Sequence, residues 1–98
     1  MRLTEQQIMQ IKAVVSAELG SQATVTLFGS RQRDDVRGGD IDLLVSSTNE
    51  ISQPALVAAR LEAKIIQRIG IQKIDVLLQA PNLQRSAIHQ IAAKGIPL

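Results

Sequence analysis

The chain has no cysteine, no tryptophan and no tyrosine, and carries one histidine, His89, and one aromatic, Phe28, in 98 residues. Without cysteine there is no disulfide, no thiolate nucleophile and no thiolate zinc site. A single histidine excludes most histidine-based metal centres and argues against a Ser-His-Asp triad. Phe28 alone makes no stacking platform for single-stranded nucleic acid. Long apolar runs are missing too. Ile65-Ile66 and Val76-Leu77-Leu78 fall far short of the roughly 20 residues that span a bilayer, and Met1 to Glu5 has no apolar signal-peptide core. Neither charge sign dominates. Eleven Lys and Arg against nine Asp and Glu leave +2, too little for a strongly basic nucleic-acid binder. With 45% hydrophobic and 20% charged residues, the composition is that of a folded domain rather than a disordered segment. The expectation is one soluble, cytoplasmic domain over residues 1–98.

What is present is orderly. Thr4 and Gln7 fit a capping box, with Leu3 and Ile8 as the hydrophobic staple around it. Ile8, Ile11, Val15 and Leu19 recur at helical spacing, and Gly20 is a natural stop. Residues 23–28 are β-branched and apolar enough for a strand. Residues 31–39 are polar and contain Gly38-Gly39, so they read as a loop or a short frayed helix. Residues 40–45 read as a second strand, and 46–53 as a turn. Pro54 opens a helix on which Val57, Leu61, Ile65 and Ile69 form the apolar row, with Arg60, Lys64, Gln67 and Arg68 on the wet side. Gly70 closes it. Residues 72–79 form a third strand, and a last helix runs from about Leu83 to Lys94. His89 on that helix reads as a plain surface residue. Helices alternating with strands imply a small α/β (α+β) domain, its mixed sheet packed with helices.

The chemistry concentrates in two strands and the loop before one of them. Asp40 and Asp42 lie two apart in a strand, which puts both carboxylates on one face while Ile41 and Leu43 point the other way. Paired carboxylates in an apolar strand repel each other, and a divalent cation with a taste for hard oxygen, magnesium above all, removes that repulsion. Asp75 stands between Ile74 and Val76 in another apolar strand. If the two strands are neighbours, three carboxylates converge. Upstream, Gly29 permits close approach of a phosphate to the backbone and Ser30 adds a hydroxyl. Arg31, Arg33 and Arg37 lie in the same segment as Asp34 and Asp35.

The stretch Leu27-Phe28-Gly29-Ser30-Arg31, followed by Asp40-Ile41-Asp42-Leu43-Leu44-Val45, resembles the signature of the minimal nucleotidyltransferases of the DNA polymerase beta-like superfamily. Asp75 matches the family's third carboxylate, and Gly95-Ile96-Pro97-Leu98 resembles its usual ending. Asp34 departs from the pattern, since many relatives have glycine there. The resemblance implies metal-dependent transfer of a nucleoside monophosphate, AMP from ATP being the expected case. It implies two magnesium ions held by Asp40, Asp42 and Asp75, and a triphosphate held by Gly29, Ser30 and Arg31. Small members of this family act as antitoxins beside HEPN-domain toxins and adenylylate a toxin tyrosine, so a HEPN toxin is the expected partner.

Each signal also has a bland reading. The carboxylates could be surface groups on an edge strand, but their apolar neighbours and the adjacent Gly-Ser weigh against that. The other arginines and Asp34 and Asp35 read most simply as a solvated loop. The stripe of Arg60, Lys64 and Arg68 reads as a wet helix face. With no second domain expected, a partner protein or a second copy would complete an open site. A catalytically silent antitoxin that neutralises by binding, and a small-molecule transferase of the aminoglycoside type, are the alternatives. The intact carboxylate set favours activity, and the missing acceptor domain weakens the small-molecule reading.

Overall fold

A computed structural model describes residues 3–29 and 40–98. Helix α1 (Glu5–Leu19) starts where expected, because Thr4 satisfies the first-turn donors. Its Oγ1 accepts from the Gln7 N–H at 3.0 Å, and Gln7 Oε1 accepts from the Thr4 N–H at 2.9 Å. Strand β1 (Thr24–Phe28) and strand β2 (Asp40–Ser46) follow. Helix α2 (Pro54–Ile69), strand β3 (Lys73–Gln79), helix α3 (Ala87–Ala93) and the short β4 (Ile96–Pro97) complete the described elements.

The sheet order is β3-β2-β1-β4. Strand β1 is antiparallel to β2 and to β4, whereas β2 and β3 are parallel and joined through α2. The sheet is therefore mixed, as expected. Alternation along β2 decides which face is core. Ile41, Leu43 and Val45 have no exposed surface and cluster with Leu27, Ile11, Val15, Leu61 and Ile65, so α1 and α2 pack on this face. The apolar rows read from the sequence are the ones that do it, joined by Val14 on α1.

Helix α3 lies against β1 and β2 on the opposite face, where Leu44 and Ala92 are buried outside that core cluster. This adds a partial layer on the face opposite α1 and α2. The helix is also shorter than the expected span from Leu83 to Lys94. Residues before Ser86 are engaged otherwise. Asn82 clamps Ile51 twice, its Oδ1 accepting from the Ile51 N–H at 2.9 Å and its Nδ2 donating to the Ile51 carbonyl at 2.8 Å. Strand β4 was not anticipated. It exists because Gly95 brings the chain so close to β1 that a Cβ there would strike the Leu27 carbonyl oxygen.

His89 corrects another expectation. It is buried, not a surface residue. Its Nδ1 accepts from the Ser86 N–H at 3.1 Å with Ser86 Oγ 3.0 Å away, which leaves the ring proton on Nε2 to donate to the Leu78 carbonyl at 2.9 Å. Both ring nitrogens are thus used to seat α3 at the β3 end of the sheet. The wet stripe of α2 is also tied down. Arg60 and Lys64 pair with Glu18 of α1, and Arg68 donates to Gln10 at 3.2 Å. No helix among the described residues is long and apolar enough to cross a membrane.

Candidate active site

Three strand ends meet at one end of the sheet: the C-terminal end of β1 and the N-terminal ends of β2 and β3. Their register builds a row across the sheet. Phe28 stands opposite Asp42, and Asp42 stands opposite Asp75. The next row is Leu27, Leu43 and Val76. Since Leu27 and Leu43 are wholly buried in the core, the Phe28, Asp42, Asp75 row belongs to the other face. Adjacent strands run about 4.8 Å apart, so the Asp42 and Asp75 carboxylates emerge side by side.

The environments of the two differ. Asp42 is half-buried on a central strand, and Asp75 is exposed on the edge strand. Gly29 follows directly after β1 in a left-handed conformation, φ +79°. A Cβ at this position would collide with Asp42 Oδ2 and lie 3.2 Å from Asp42 Cγ. Two constraints therefore coincide at one residue. The backbone angle favours glycine, and the carboxylate occupies the space a side chain would need. The result is a main chain packed directly against the Asp42 carboxylate.

Of the residues singled out in the sequence, Asp42, Asp75 and Gly29 are brought together here. Asp40 opens β2. Ser30 and Arg31 lie outside the described residues, as do Arg33, Asp34, Asp35 and Arg37. Among the described residues no group of three metal-ligating side chains forms, so the described part of the site is the pair Asp42 and Asp75. The donor set suits a divalent cation. Two hard carboxylates in register on one face are what magnesium or manganese takes, and neither histidine nor sulfur stands among them.

One contact beside the pair was not legible from the sequence. Glu62 of α2 accepts the Val76 N–H on its Oε2 at 3.0 Å. Nothing in the local pattern marks Glu62, because its partner lies a strand away. At the level of sequence families, a model described as nucleotidyltransferase domain matches residues 8–96, which takes in β1, β2 and β3 whole and ends on the first residue of β4. No curated protein and no solved structure shows significant similarity to the chain.

Proposed function

The chain belongs to the nucleotidyltransferase domain family, and from that membership we propose that it transfers AMP from ATP to a protein hydroxyl, a tyrosine of a HEPN-domain toxin, and so acts as a cytoplasmic antitoxin. The observation that carries the catalytic part is the in-register pair Asp42 and Asp75, with the Gly29 backbone packed against the Asp42 carboxylate. A purely structural strand end has no use for two carboxylates on one face and a glycine main chain packed against one of them. The toxin partner rests on the likeness to the antitoxin-type minimal nucleotidyltransferases.

In this reading Asp40, Asp42 and Asp75 hold two magnesium ions. When bound, such ions neutralise charge on the transferring phosphoryl group and on the leaving oxygen. The chain supplies the rest. Gly29 lets the triphosphate lie against the main chain, while Ser30 and Arg31 bind its oxygens. Asp75, on the exposed edge, receives the proton of the acceptor hydroxyl. The acceptor oxygen forms a bond to the α-phosphorus as the bond to the bridging oxygen breaks and pyrophosphate departs. Base recognition is weak, because Phe28 is the sole aromatic in the chain.

The chain holds no tyrosine, so a tyrosyl acceptor lies outside it. The partner that carries it, or a second copy of the chain, also completes the site. Holding acceptor and phosphate in line accounts for several kcal/mol of barrier, and slow turnover is expected without the partner. Intact-mass spectrometry of a HEPN toxin incubated with the protein, ATP and magnesium tests the reading. The toxin should gain the mass of an adenylyl group, and Asp40→Ala or Asp42→Ala should abolish the gain. A toxin neutralised equally well by those variants, with no mass change, overturns it in favour of neutralisation by binding.

A further inference from the structure

Strand β3 is an edge strand, so part of its main chain faces away from β2 and must find partners elsewhere. The Val76 N–H finds one in Glu62, whose Oε2 accepts it at 3.0 Å. That N–H belongs to the peptide linking Asp75 to Val76. Glu62 therefore grips the main chain immediately beside the Asp75 Cα.

The helix that carries Glu62 is firmly placed. Leu61 and Ile65, on either side of it in the sequence, are wholly buried in the core. The grip consequently connects a fixed element to the middle of a strand that has only one strand neighbour. Asp42 needs no such device, since β2 lies between β1 and β3 and is paired on both sides. A carboxylate accepting a backbone N–H is also a stronger tether than a neutral acceptor.

We propose that Glu62 is a positioning residue: it pins β3 at Val76 so that the adjacent Asp75 stays level with Asp42 and the two carboxylates share one divalent cation. The proposal rests on the reading in which Asp42 and Asp75 hold that cation. A mere edge cover would protect the Val76 amide and leave cation binding untouched, which makes the two roles separable.

The test is backbone NMR of the whole chain titrated with substoichiometric manganese, whose paramagnetism broadens nearby amides. In the wild type the Asp42 and Asp75 amides broaden together. In Glu62→Ala the broadening at Asp75 falls relative to that at Asp42, and solvent exchange at the Val76 amide quickens about fivefold, the fold-change to which one lost hydrogen bond corresponds. Glu62→Gln, which keeps an acceptor oxygen, recovers most of both. Protection of the Leu43 and Val45 amides verifies the fold, and Glu62→Asp, with the acceptor drawn back by one methylene, gives the same comparison if the alanine variant unfolds. Broadening at Asp75 that stays level with Asp42 in Glu62→Ala, despite faster Val76 exchange, overturns the proposal alone. A wild type in which neither amide broadens overturns the cation reading, and the positioning role with it.

Discussion

On one face of β2, Ile41, Leu43 and Val45 are sealed beneath α1 and α2 with no exposed surface. On the other face, which α3 partly covers, Leu44 is buried and Asp42, two residues before it, is half-buried. The residues alternate along one seven-residue strand, so the two faces share every backbone constraint and differ only in what their side chains meet. The core face is specified by shape, and its stability lies in filled volume. The site end of the other face is marked by charge. There Asp42 and Asp75 stand in register, and like charges so placed repel. A substitution on one face should accordingly move stability and spare chemistry, and on the other the reverse.

The largest expected effect comes from crossing that boundary within adjacent residues. Asp42→Asn keeps the side-chain shape and one acceptor oxygen, yet removes the charge on which the proposed cation site depends. Transfer should fall about 10³-fold or more, the scale at which several kcal/mol of metal-assisted stabilisation is lost, with the melting temperature nearly unchanged. Leu43→Ala opens a cavity under α1 and α2 and should cost about 3 kcal/mol of stability, while transfer per folded molecule persists well below the melting point. Thermal scans paired with mass-spectrometric transfer assays read both. If the Asn variant proves as unstable as the Ala variant, the two faces are not separable and the comparison breaks.

Gly29 offers a sharper probe, because it sits where backbone strain and the carboxylate meet. Alanine there must adopt φ near +79° and drive its Cβ against the Asp42 carboxylate. A strained left-handed residue costs about 1–3 kcal/mol, and a displaced carboxylate no longer meets its cation. Both readouts should therefore fall in one variant: stability by about 1–3 kcal/mol, and the rise in melting temperature expected of the wild type on adding magnesium should shrink. A variant that melts earlier but keeps the full magnesium response would show that the glycine serves the backbone only.

How far the sequence announced this arrangement follows from the range of the interactions involved. The periods of α1, α2 and β2 are local, so Ile11, Val15, Leu61 and the Asp-Ile-Asp run could be read directly. The third carboxylate was also visible, as a charge between Ile74 and Val76. Its register opposite Asp42 was not, because a parallel pairing across α2 leaves no local trace. His89 was misread for a similar reason. Its partners are the Ser86 N–H, three residues away, and the Leu78 carbonyl on a strand, and only the second explains its burial. Strand β4 needs Gly95 to meet β1 at close quarters, and two residues of strand carry no periodicity at all. Glu62 carries no local signal, because its partner, the Val76 N–H, lies on another element. Ser30 and Arg31 lie outside the described residues, so their part in the site rests on the resemblance.

The smallest expected effect lies on the far side of the core, where α1 and α2 meet the solvent. There Glu18 receives Lys64 and Arg60, and its pKa is held below the ordinary 4.5, chiefly by the hydrogen bond from Lys64, with burial pulling the other way. The sign follows from linkage. A carboxyl whose folded pKa is depressed adds stability that is fully present above its unfolded pKa and fades as the pH falls through the folded one. Glu18→Gln should therefore cost about 0.5 kcal/mol at neutral pH, as partly exposed ion pairs do. That difference should diminish below about pH 4.5 and be reduced by salt. Urea unfolding of wild type and variant at pH 7 and pH 3, each at low and high salt, measures it. A loss that persists at pH 3 would mean that Glu18 acts through packing rather than charge, and that the electrostatic character assigned to the site end of β2 extends to neither side of the α1 and α2 pair.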